Sequence, residues 1–97
     1  MQIAKVVGTV VSTNKTEKLM GMKMLVVQPL EIETMKEKGS PAVAIDTVGA
    51  GTNEVVMLVA GSSSRQTALT DGKPVDMSIV AIIDHIDIGG TRVFEKY

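Results

Sequence analysis

The chain has no cysteine in its 97 residues. Disulfides, thiolate metal sites and a cysteine nucleophile are therefore excluded, and a reducing compartment suits it. It is almost without aromatics. Phe94 and Tyr97 are the whole set, and both fall in the last four residues. A surface that stacks nucleic-acid bases needs rings, and there are none before the tail. Charge of one sign is lacking too. The formal net charge is -1, so no broad basic face exists to hold a phosphate backbone. No apolar run approaches the ~20 residues of a membrane helix. The opening M-Q-I-A-K-V-V-G-T-V-V carries Lys5 inside its apolar run and does not read as a signal peptide.

What is present is β-branched and aliphatic, with seven methionines as further packing material. The length fits a single domain over residues 1–97 with a modest core. Residues 3–13, I-A-K-V-V-G-T-V-V-S-T, read as a strand. Ala4, Val6, Gly8 and Val10 share one face of it, and the small Ala4 and Gly8 suit a narrow barrel interior. A second strand spans 22–32, with Pro29 at an edge or bulge because it cannot donate a ladder bond. Shorter strands follow at 42–46 and 54–60. Residues 61–69, G-S-S-S-R-Q-T-A-L, read as one or two helical turns behind a serine cap. A fifth strand covers 78–86. Gly89-Gly90 signals a hairpin, and 91–97 form a last strand or a tail.

The fold class is therefore all-β: a small five-stranded OB-like closed barrel with one short helix and a C-terminal strand or tail. Several strands are apolar on both faces. Leu25 and Val27 oppose Met24 and Val26; Ile79 and Ile83 oppose Val80 and Ile82. One barrel interior buries one face, so the other must meet a helix or another subunit. A homo-oligomer is expected on that ground.

The chemistry candidates are few. D-T-V-G-A-G-T-N-E, from Asp46 to Glu54, has two glycines of a phosphate loop. A dinucleotide fingerprint needs a third glycine and a following helix; here Glu54 and a strand stand instead. It also begins like the D-T-G of aspartic proteases, but Val48 intervenes before the glycine. The expectation is a structural loop. Asp46 ends a strand and holds the turn by an Asx-type bond, and Gly49 or Gly51 takes positive φ. His85 is the lone histidine, and its neighbour Asp84 points to the opposite face, so it reads as a surface or interface residue. Lys23, Lys36, Glu37 and Lys38 read as solvated charges. The serines of 61–65 gather at a helix start that favours anions, but no base stands within evident reach of them. No catalytic group, metal site or cofactor is expected.

Several stretches together carry a resemblance: I-A-K-V-V-G-T-V-V-S-T with Lys15, L-x-G-x-K-x-L-V-V at 19–27, A-V-A-I-D-x-V-G-A-G-T-x-E at 42–54, G-S-S-x-R at 61–65, and P-V-D-x-x-I-V-A-I-I-D at 74–84. The chain resembles the vertex proteins of bacterial microcompartments, the small shell proteins of carboxysomes and ethanolamine compartments. That resemblance implies a homopentamer in the bacterial cytoplasm that closes a five-fold vertex, with hexameric facet shell proteins as partners. It implies that Gly61, Ser62, Ser63 and Ser64 border a narrow pore on the five-fold axis. It also implies that the C-terminal segment, with Phe94 and Tyr97, joins Arg65 in contacts between subunits. Asn53 stands where Gly is common in the family, and Ser64 where Ala is common. No nucleic-acid or membrane partner is implied. The alternative from the residues alone is an OB-like barrel that binds a small ligand or nucleic acid.

Overall fold

The computed structural model describes residues 1–11, 23–60 and 77–96. The helical turns expected at 61–69 lie outside them. Within the described residues the strands are β1 (Gln2–Val10), β2 (Lys23–Leu30), β3 (Ala42–Asp46), β4 (Val55–Ala60), β5 (Met77–Ile82), β6 (His85–Ile88) and β7 (Thr91–Glu95). The first five close into a barrel in the order β1-β2-β3-β5-β4, and β6 and β7 pair as a separate two-stranded sheet. Every barrel seam is antiparallel except β3–β5, a short parallel contact through Ile45–Ser78 and Asp46–Ile79.

The interior is aliphatic because the sequence offers nothing larger. Val6, Leu25, Val27, Val56, Leu58 and Ile79 fill it, with Ala4, Ala44 and Ala50 where space is short. Strict alternation along the strands fails at two places. In β1 the register slips between Val6 and Gly8, so that Val7 bulges outward. Past the bulge, Gly8 pairs with Val26, the outward member of β2. A side chain on Gly8 would meet Val26 Cβ at 3.7 Å. Gly8 and Val10 therefore leave the inner row to which simple alternation assigns them. In β5 the slip skips Val80: Ile79 faces Leu58, and Ile82 faces Val56. Ile82 accordingly packs on the barrel core beside Ile79 rather than opposite to it. A bulge adds one residue to one strand and shifts every later side chain by one face.

Pro29 lies where β2 has passed the end of β3, paired with Ala4 on one side. Its carbonyl accepts the Lys38 amide at 2.9 Å from the turn beyond the strand. The expected strand at 78–86 breaks after Ile82. The chain then rises into β6, turns at Gly89-Gly90 with both glycines at positive φ, and returns as β7. This hairpin is an arm seated on the outside of the barrel. Ile83, Ile86 and Phe94 pack with Met35 over Ile3, Leu30 and Val55. Part of the outer apolar face is thus covered by the chain itself. Another part stays open: Val7 is 44% exposed and Val43 51%.

Candidate functional site

The Asp46–Glu54 loop is organised around two carboxylates of its own. Asp46 closes β3 with its side chain turned into the end of the barrel, 1% exposed. Its Oδ1 accepts the amides of Val48 and Gly49, both at 3.0 Å, and its Oδ2 accepts that of Ala50 at 2.9 Å. Successive amides aimed at one point form a nest for an anion. Here the anion is internal, so the loop offers no vacant cradle to a phosphate. The same bonds occupy both oxygens of Asp46 and keep it from the side-by-side geometry of a protease dyad.

The turn needs unusual backbone. Gly49 has φ 79°, and Asn53 has φ 72°, a region that L residues other than Asn and Asp seldom enter. Asn53 N donates to Val6 O at 2.8 Å, and Val6 N donates to Glu54 O at 2.9 Å. The loop is thereby laced to the β1 bulge. Thr47 Oγ1 donates to Ile79 O at 2.6 Å, next to the parallel seam. Lys23, expected to be merely solvated, leans on the loop as well. Its Nζ donates to Ala50 O at 3.4 Å and lies 3.9 Å from Asp46 Oδ2, while the side chain stays 56% exposed.

Glu54 ends the loop. Its Oε1 accepts the Gly51 amide at 2.6 Å, and its Oε2 meets Lys96 Nζ at 2.8 Å. The bond from Lys96 first, and the Gly51 amide second, hold its carboxyl below the usual range. Lys96 follows β7, so this bridge joins the loop to the arm. Sequence reasoning missed Lys96: it sits 42 positions from Glu54, and no local pattern links the two.

The arm carries its own charges. Arg92 pairs with Asp87 at 2.9 Å and with Glu95 at 3.1 Å. The Arg92 guanidinium draws the Asp87 carboxyl downward. His85 is exposed, opposite Glu95 across the hairpin. Among the described residues no three His, Cys, Asp or Glu cluster as metal ligands would. Phe94 is half-buried against its own barrel. Gly61, Ser62, Ser63, Ser64, Arg65 and Tyr97 lie outside the described residues. A mostly apolar groove of about 340 Å³, lined by Met1, Gln2, Ile3, Leu30, Ile32, Lys38 and Met57, opens beside the arm.

A small closed barrel, an internally satisfied loop and a seated arm match a known architecture. The chain fits the family model described as ethanolamine utilisation protein EutN/carboxysome over residues 1–84. It belongs to the EutN/CcmL family. The microcompartment shell vertex protein GrpN of Rhodospirillum rubrum (strain F11) is 46% identical, over 90% of this chain and 97% of its own length. The carboxysome shell vertex protein CcmL of Synechocystis sp. (strain ATCC 27184 / PCC 6803 / Kazusa) is 43% identical, over 99% and 95%. A solved structure of the carboxysome subunit CcmL superposes with TM-score 0.93 at 41% identity, covering all of both chains. The pentameric GrpN shell protein of Rhodospirillum rubrum superposes with TM-score 0.81 at 44% identity, over 91% and 99%. These relatives are shell proteins by name.

Proposed function

We propose that this chain is a structural, non-enzymatic shell protein. Five copies form a ring that caps a five-fold vertex of a microcompartment in the bacterial cytoplasm. The observation that carries this is the full-length superposition on CcmL at TM-score 0.93. The outer apolar residues that the arm leaves open, Val7 and Val43, support it from the side of physics. A head-to-tail ring covers such surfaces and closes by rotation.

Within that reading, Gly61, Ser62, Ser63 and Ser64 border the axial pore. Arg65, Phe94 and Tyr97 belong to the contact between copies. Phe94 rests on its own barrel with one side and has its remaining surface available to a neighbour. Hexameric facet shell proteins are the partners at the rim of the ring. The support for these placements is the G-S-S-x-R motif at 61–65 and the position of the arm.

Native mass spectrometry of the purified protein tests the assembly. Five copies of the 10.3 kDa chain give a species of about 52 kDa. A stable monomer or dimer as the sole species overturns the proposal.

A further inference from the structure

The arm meets the barrel through few bonds. β6 and β7 make their own sheet and join no barrel strand. A two-stranded hairpin by itself is marginal in water, so its direction must be fixed at its base. The backbone bond from Ile83 N to Val55 O, at 2.8 Å, ties down the connection just ahead of the arm. Lys96 N donates to Asp84 O at 2.8 Å and closes the arm's base, and side chains hold the arm in two ways. Ile86 and Phe94 sit on Ile3, Leu30 and Val55, and Lys96 Nζ binds Glu54 Oε2. The first is non-directional. The second is directional, and its acceptor is engaged on its other side as well, where Glu54 Oε1 holds the Gly51 amide.

We propose that Glu54 is a two-sided clasp that couples the shape of the Asp46–Glu54 loop to the orientation of the C-terminal arm. One oxygen fixes the turn and the other fixes the arm, so neither can shift without moving the carboxylate. The packing at Gly51 makes the coupling tight. A Cβ there would lie 3.3 Å from Glu54 Oε1, close enough that the carboxylate must give way. Gly51 is not among the glycines at positive φ, so an alanine meets no left-handed penalty there. Its effect passes through that one contact. The clasp lies within one copy and does not depend on how many copies assemble.

Amide hydrogen exchange on the full-length protein reads both halves, since local opening shows there independently of global unfolding. In Lys96→Met, the amides of β6 and β7 are expected to exchange several-fold faster, and the Gly51 amide faster too by a smaller factor, since Glu54 Oε1 still accepts it but the carboxylate is no longer held from the arm side. In Gly51→Ala, the arm is expected to speed up although the change lies in the loop. In the double variant Glu54→Lys with Lys96→Glu, the arm regains protection, but the Gly51 amide loses it because an ammonium group accepts no bond. Barrel amides in β1 and β2 serve as the reference for global stability in each case. Unchanged arm rates in Lys96→Met overturn the clasp. A faster arm in Lys96→Met with no response to Gly51→Ala leaves a tie without coupling, and overturns the proposal equally.

Discussion

Asp46 shows how one side chain can organise a loop. Truncating it to alanine strips the acceptor from three amides. An unpaired buried donor costs about 1–3 kcal/mol, and water recovers part of that at the exposed end. Asp46→Ala is therefore expected to lower stability by about 2–4 kcal/mol, measured as a shift in urea midpoint at fixed protein concentration. Asn53 gives a sharper contrast. At φ 72°, Asn53→Gly should be neutral within about 0.5 kcal/mol, while Asn53→Val should cost about 1–2 kcal/mol from Cβ crowding. The Asx bond from Asp46 and the strained turn were legible from D-T-V-G-A-G. Which glycine is left-handed was not, because either can be and only the loop's closure on β1 decides. Lys96 was illegible for a plainer reason: long-range ion pairs leave no spacing to read.

At the scale of elements, periodicity located the strands and then misplaced some of their faces. Alternation assumes an unbroken ladder, and the bulges at Val7 and Val80 break it. The lone glycine of V-V-G-T is a hint, since glycine inside a strand often marks a bulge, but nothing in S-I-V-A-I announces an extra residue. The consequence can be measured. Strict alternation makes Val80 and Ile82 equivalent, whereas the bulge puts Ile82 on the core. Ile82→Ala is expected to cost about 1–3 kcal/mol and Val80→Ala less than about 1 kcal/mol; equal losses contradict the bulge. The arm is an element held partly by charge. The Asp87 carboxyl is depressed by Arg92, so its contribution is complete above the ordinary aspartate value of about 3.9. It is lost as pH falls through the lower folded value. Arm amides should thus exchange faster in acid than in neutral solution, with the rate normalised for intrinsic pH dependence. Salt should weaken the protection already at neutral pH, since these charges are exposed. Gly89-Gly90 told of the hairpin correctly. The break after Ile82 that frees it from the barrel lay inside a continuous apolar run and could not be seen.

For the whole molecule, the scarcity of aromatics and the both-face apolar strands pointed away from chemistry and toward assembly. The expected need for a cover was met partly within the chain, by the arm. The remaining open surface is what a neighbouring copy would use. The axial placement of the serines can be tested on the assembled protein, because it contains no competing thiol. Ser63→Cys brings cysteines from adjacent copies together if the residue borders a narrow axis. Mild oxidation should then give covalent dimers on a non-reducing gel, since a disulfide forms only where Cβ atoms approach within about 4.5 Å. Monomers alone, from a protein that is pentameric by mass, would remove Ser63 from the pore.

The closure of the barrel also bears on polymerisation. A sheet that ends in free strands exposes unpaired amides and carbonyls, which can template fibres. Here the five-stranded sheet returns to its own first strand. That closure removes most of the ladder that a second copy could extend. Among the described residues, backbone edges remain on the part of β3 ahead of its short seam with β5 and on the two-stranded arm, where they are blunted. The register slip between Ile86 and Asp87 twists the ribbon, and Asp87, Arg92 and Glu95 set charges along it. Among the described residues, few free strand edges are left where close packing of copies could turn into a fibril.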